Sequence, residues 1–319
     1  MSKKVTFLIN KSEITAGTRG ASLGPDAIIT AARGKGSFIF SDNNLDEIKN
    51  WNELLNTPVK YPYAKRIIGL LNVYEELNTK VATLVKSDDF PIVLAADHGS
   101  AGGTISGIKS AFPDKRIGVV WIDAHADIHT PYTTPSGNLH GMPLASVLDI
   151  DNIECKINDI DSETEVYWNK LKNVGGFSKK INAEDLVYVG VRDTEAGEEF
   201  VLEKLGIKSI LVEELRKVGV DKTIETINDK LKDCDIIYVS FDVDSMDPNL
   251  TSHGTGTPVP NGITPNEAMN LLIQLAANPK TCCMEVVEVN PCLDEKKNKM
   301  AEVTLELLEA ITDVVKMRA

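Results

Sequence analysis

Short, unbroken runs of apolar and often β-branched residues recur along the chain, at Val5–Asn10, Ile92–Ala96, Ile117–Asp123, Leu186–Val191, Ser209–Val212, Ile236–Asp242 and Cys283–Val289. Each reads as a strand. None alternates apolar with polar residues, so the pattern predicts strands buried on both faces. Helix-length segments separate them. Ala64–Lys86 carries apolar residues at helical spacing, Pro265–Leu275 opens on a proline after Thr264, and the C-terminal Lys299–Met317 also reads as helix. Buried strands separated by helices predict a three-layer α/β/α architecture around a central, mainly parallel sheet. No repeat, low-complexity tract or Pro/Ser-rich linker divides the sequence, so one domain over residues 1–319 is expected.

Charge narrows the partners. The chain has 34 Lys and Arg against 47 Asp and Glu, a formal net charge of −13, and no basic block. Nucleic acid and anionic membrane surfaces both need clustered positive charge, so neither is expected as a partner, and a small polar or cationic ligand fits better. The first apolar run is broken by Asn10 and Lys11, too short for a signal-peptide core or a bilayer span, which points to the cytoplasm. Cys155, Cys234, Cys282, Cys283 and Cys292 form no CxxC pair and read as reduced thiols. The glycine clusters at Gly99–Gly103 and Gly254–Gly256 read as loop and turn formers.

The chemistry gathers at the C-terminal ends of three expected strands: Asp97-His98, Asp123-Ala-His125-Ala-Asp127 and Asp242-Val-Asp244. In open parallel sheets that edge is where ligand sites form. The spacing of two in the second motif puts three ligand-capable side chains on one side of an extended backbone. Carboxylates gathered without a cation repel, so a metal is the simpler explanation of their grouping. Six ligands are too many for one tetrahedral zinc and suit two ions that share bridging carboxylates. The oxygen-rich set suits manganese, and ligand type alone leaves zinc, iron, cobalt and nickel open. Two adjacent metals that activate one water imply hydrolysis. No nucleophile elbow, P-loop or dinucleotide fingerprint is present.

These residues resemble the ureohydrolase family and, within it, the arginases. Asp97-His98, the DAHAD run at Asp123–Asp127 and SFDVDSMDP from Ser240 to Pro248 match the three family metal motifs in order, and Thr133–Gly141 is similar to the loop that holds the amino-acid end of the substrate. The likeness extends from Gly17–Gly20 to Glu288–Pro291. It implies two Mn2+ per chain, one held by His98, Asp123, Asp127 and Asp242 and the other by Asp123, His125, Asp242 and Asp244. A hydroxide bridging the metals would attack the guanidinium carbon of L-arginine, yielding L-ornithine and urea, with Asp127 accepting a hydrogen bond from it. The resemblance further implies His140 as proton shuttle, Glu288 as guanidinium partner supported by Thr257, Ser136 and Asn138 at the α-carboxylate, and Glu195 near the α-ammonium. It implies a homo-oligomer, trimer or hexamer.

Two positions depart from the arginase pattern. His129 stands where arginases usually have Asn, and Glu195 where they usually have Asp. Both belong to the amino-acid end of the pocket, so other ureohydrolase substrates (agmatine, formiminoglutamate or another guanidino compound) stay open. A catalytically silent binding protein and a dimetal phosphoesterase are further alternatives. Complete ligand motifs count against the first. Motif loops without Lys or Arg to grip phosphate count against the second. His253 has no assigned role beyond that of a loop histidine near solvent.

Overall fold

In a computed structural model describing residues 3–318, eight parallel strands form one sheet. Residues 1, 2 and 319 of the expected domain lie outside the described range. The strands are β1 Val5–Asn10, β2 Asn44–Glu47, β3 Phe90–Ala95, β4 Ile117–Ile122, β5 Leu186–Val189, β6 Ser209–Ile210, β7 Ile236–Asp242 and β8 Thr281–Val287. Their spatial order is β2-β1-β3-β8-β7-β4-β5-β6, with every pairing parallel.

Both faces are covered, as unbroken apolar strands require. Phe7, Ile92 and Val120 enter a core beneath the helices Gly24–Lys35, Pro265–Ala277 and Lys299–Met317. Leu8, Val93 and Trp121 point the other way, against Ile67–Lys86, Ala101–Ala111 and Ser162–Lys172. Neighbouring residues of a strand serve opposite cores because strand side chains alternate in direction. Thr264 caps the helix from Pro265 by accepting from Glu267 N, while the Glu267 carboxylate accepts from Thr264 N.

Most expected elements are observed, with corrected ends. β8 stops at Val287 because Glu288 turns to φ 68°. β6 stops at Ile210 because Leu211 begins the helix Val212–Val218. The strand β2, of sequence NLDE, was not expected. It is exposed throughout and carries none of the apolar signal of a buried strand. The reading of Gly99–Gly103 as loop formers is also corrected: Gly102 and Gly103 lie in the helix Ala101–Ala111. A Cβ at Gly102 would come within 2.2 Å of the Tyr74 hydroxyl, so these glycines let two helices close on each other. No described helix is long and apolar enough to cross a membrane.

Candidate metal centre and substrate cleft

The four central strands, β3, β8, β7 and β4, are neighbours, and each carries candidate functional side chains at or just beyond its C-terminal end. β3 leads to Asp97 and His98, β8 to Glu288, β7 to Asp242 and Asp244, and β4 to the run Asp123–Asp127. Adjacency in the sheet therefore brings together groups that lie up to 190 residues apart in sequence, as in the bond from His98 N to Glu288 Oε1.

The centre is built around His98. Its Nδ1 is buried without a hydrogen-bond partner, and it faces Asp123 Oδ2 at 2.9 Å, Asp127 Oδ2 at 3.1 Å and Asp242 Oδ2 at 3.3 Å. Trp121 stacks on the imidazole with centroids 4.0 Å apart and donates through Nε1 to Asp123 Oδ2, so one indole orients two of these groups. A second cluster shares Asp123: His125 Nδ1 lies 3.1 Å from Asp244 Oδ2 and 3.6 Å from Asp123 Oδ1. Two sets, His98-Asp123-Asp127 and Asp123-His125-Asp244, bring ligand atoms close enough to hold an ion each. Asp127 takes φ 50°, a left-handed conformation that Asp tolerates better than most side chains, and so folds the end of the metal run back toward His98.

The electrostatics have the signature of a site that wants positive charge. Burial opposes a charge on His98, yet Asp123, Asp127 and Asp242 push its pKa well above the ordinary value. Burial and the Asp123 charge raise Asp127 to about 6, and burial with Asp244 and Asp123 holds Asp242 well above the usual range. An imidazolium among three carboxylates and a divalent cation among the same groups answer one electrostatic demand. The nitrogen and oxygen donors thus fit a divalent metal.

Above the centre opens a cleft of about 340 Å³, lined by Thr18, His129, Ser136, Asn138, His140, Glu195, Glu198, Thr257 and Glu288 among others. His140 Nδ1 stands 3.8 Å from Glu288 Oε1. Burial, then the charges of His125 and His98, hold His140 down at about 4. Its loop is pinned at Gly137, whose φ is 74° and whose missing Cβ would collide with the Pro62 carbonyl. Lys65 N donates to the Gly137 carbonyl. Ser136 Oγ accepts from Asn138 N, and Asn138 Oδ1 accepts from Lys65 at 3.3 Å.

The two departures face each other. His129 Nε2 lies 3.4 Å from Glu195 Oε2 and 3.7 Å from Glu198 Oε2. At those distances neither carboxylate offsets burial, which holds His129 at about 4. Thr133 Oγ1 accepts from Thr130 N and sits 3.1 Å from His129 Nδ1, so its own hydrogen can go to that nitrogen and leave Nε2–H aimed at the cleft.

One expectation is corrected. The Thr257 hydroxyl donates to Asp244 Oδ2 at 3.1 Å instead of supporting Glu288, because its loop runs beside the end of β7. It is Gly256 that lies against Glu288. His253 pairs with Glu295 on the surface and does not line the cleft.

Several contributors escaped the sequence reading. Glu198 accepts from Ile128 N and Glu195 N, tying the metal loop to the cleft wall. Arg192 donates to the carbonyls of Gly190, Asp244, Val259 and Pro260 and so clamps three loops. Glu-x-x-Glu at the start of a helix was a readable capping signal at Glu195–Glu198. Nothing in sequence spacing marks the Arg192 clamp.

The arginase family model matches residues 5–312. The chain belongs to the arginase family. Bacillus subtilis arginase is 32% identical over 320 residues, covering 98% of both chains, and its crystal structure superposes with a TM-score of 0.76 over 97% of this chain and 98% of that one. Human Arginase-1 is 37% identical over 243 residues, 75% of this chain and 69% of its own. The crystal structure of Entamoeba histolytica arginase in complex with L-ornithine, 27% identical, matches with a TM-score of 0.79 over 99% of each chain. Arginase family members are metal-dependent hydrolases, and the His and Asp groups above give this member a place for metal.

Proposed function

We propose that this protein is a dimanganese arginase that hydrolyses L-arginine to L-ornithine and urea. The observation that carries the reading is the orphaned His98 Nδ1 facing three carboxylates at the floor of a cleft whose walls are acidic. His98, Asp123, Asp127 and Asp242 would hold one ion, and Asp123, His125, Asp242 and Asp244 the other. Divalent metal held there would supply a Lewis acid that lowers the pKa of a water so that it can act as a nucleophile near neutral pH.

The protein's own residues do the rest. Glu288 presents a buried carboxylate to a planar cation with paired N–H donors, a match of shape as well as charge. Asp127 would accept a hydrogen bond from the attacking water, which sets that water's orientation. His140, neutral at working pH, is placed to pass a proton between solvent and the departing amine. His129 Nε2–H and the Ser136-Asn138 loop would meet an α-carboxylate, and Glu195 the α-ammonium. Thr257 keeps Asp244 in place. We assign the protein to a homo-oligomer on resemblance alone.

The contact between His129 and Glu195 favours a second reading, a ureohydrolase whose cleft takes a guanidino substrate other than arginine. Manganese-loaded protein offered L-arginine, agmatine and formiminoglutamate in separate assays, with urea or formamide measured and metal counted, separates the two. Preference for L-arginine with two metals per chain is expected. Preference for another substrate at the same metal count would replace the arginase assignment and keep the metal chemistry.

A further inference from the structure

His98 turns Nδ1 toward the carboxylates and Nε2 away from them, 2.7 Å from the Ser240 hydroxyl. An imidazole whose Nδ1 lone pair is given to a cation carries its proton on Nε2, so Ser240 must accept that hydrogen. The serine's own hydrogen is then free to travel onward. On the same face of β7, two residues back, stands the Tyr238 phenol. Tyr238 in turn donates to Glu285 Oε2 at 2.7 Å, and Ser100 donates to Glu285 Oε1 at 3.3 Å. Glu285 stands opposite Ser240 in the β7–β8 register. The series therefore runs from a metal-facing imidazole to a carboxylate embedded in the sheet, and His98, Ser240, Tyr238 and Glu285 are each at most 1% exposed.

A carboxylate in such a place needs a reason. An apolar side chain would cost nothing to bury, whereas an ionisable one carries a desolvation penalty. Ionised Glu285 can only accept, Tyr238 and Ser240 can each accept and donate, and a metal-binding His98 can only donate from Nε2. A terminal acceptor gives every hydrogen in the series one direction. We propose that Glu285, acting through Tyr238 and Ser240, is a positioning residue that fixes the His98 ring and its Nε2 proton and thereby sets the affinity of the metal held at Nδ1. The inference rests on the proposed role of His98 as a metal ligand. Partners of this kind behind metal-bound histidines are typically worth about 10- to 100-fold in metal affinity.

The test titrates metal-free protein with Mn2+, reading each site's affinity by calorimetry and electron paramagnetic resonance, in wild type and in His98→Ala, Ser240→Ala, Tyr238→Phe and Glu285→Gln. His98→Ala is expected to lose one tight site. Ser240→Ala and Tyr238→Phe should weaken that same site about 10-fold or more and leave the other unchanged. Glu285→Gln, whose amide can present either a carbonyl or an N–H to Tyr238, should have a smaller effect in the same direction. In Zn2+-loaded protein the His98 Nε2 proton should be protected from exchange, lose that protection in Ser240→Ala and shift in Glu285→Gln. Should Tyr238→Phe fail to fold, Ser240→Ala and Glu285→Gln carry the test, the first losing one oxygen and the second keeping the side chain's size. Wild-type affinity at both sites in folded Ser240→Ala and Glu285→Gln overturns the proposal. So does an equal weakening of both sites that merely follows a lowered Tm. Two tight sites surviving in His98→Ala would refute the metal assignment itself, a failure separable from that of the series.

Discussion

The two ends of the sheet treat buried carboxylates in opposite ways. Below the N-terminal ends of the strands, Asp185 receives bonds from Arg116 Nε and Nη2 at 2.7 to 2.9 Å, and Asp89 accepts from Lys4 at 2.9 Å. Each acid there has a basic side chain of its own. At the C-terminal ends, Asp123, Asp127, Asp242, Asp244 and Glu288 are all buried, and their ion-pair partners among the described residues are histidines alone. Both arrangements use one residue class in one fold. The difference is that a structural site carries its countercharge in the chain, whereas a working site leaves it to be supplied from outside.

The sharpest way to break this contrast is at the shared ligands. Asp242→Ala should cut urea release by at least about 10²- to 10³-fold, the scale of losing one pre-organised electrostatic contact to the transition state, and should abolish tight binding of both metals. Retention of two metals would refute its bridging role. Next comes His140→Ala, for which a loss on the order of 10²-fold in kcat at unchanged metal content matches removal of a general acid–base. An unchanged kcat would remove the shuttle.

At the opposite end the effect should fall on stability alone. Arg116→Ala is expected to lower the midpoint of denaturant unfolding, since charge-assisted hydrogen bonds are lost from a buried acid, with urea release per folded molecule unaltered. Burial pulls the Asp185 pKa up, but Arg116 and Asn182 hold it below its ordinary 3.8. A depressed carboxylate contributes stability that is present above its unfolded value and lost as pH falls through its folded one. The stability advantage of wild type over the variant should therefore shrink as pH falls below about 3.8. The smallest expected effect sharpens the cleft itself: a double-mutant cycle of His129→Asn and Glu195→Asp, read as KM for L-arginine. Contacting residues couple, so the double change should differ from the product of the single ones by several-fold. Multiplicative effects would mean that the two positions act separately.

Much of this was legible beforehand, and the reasons are physical. Strands β1, β3, β4, β7 and β8 announce themselves because burial on both faces demands continuous apolar residues, and β1 and β7 needed no correction at all. The candidate metal ligands are legible because Asp and His sit at strand ends in fixed spacings. What escaped lacks such a demand. β2 is held by its backbone, with Lys80 and Lys11 pairing its acids, so its side chains carry no periodic signal. Trp121 reads as core, and only the fold reveals that it lies flat on His98. The resemblance implies Thr257 beside Glu288, whereas its hydroxyl reaches Asp244, a matter of loop path that composition does not encode. Glu198 and Arg192 act on loops distant in sequence, and a long-range hydrogen bond leaves no local trace.

The sheet's borders carry a consequence for how copies of this protein meet. A parallel sheet that does not close exposes a row of unpaired N–H and C=O groups at each side, a template on which another chain can add a strand. Here one border is β2, whose four residues are all exposed and include two acids, and the other is β6, two residues long. The first is short and carries charged side chains held in ion pairs, and the second offers too few bonds to hold a copy. Protection against runaway polymerisation therefore resides in the least conspicuous strands of the molecule, those with no share in the core or the chemistry.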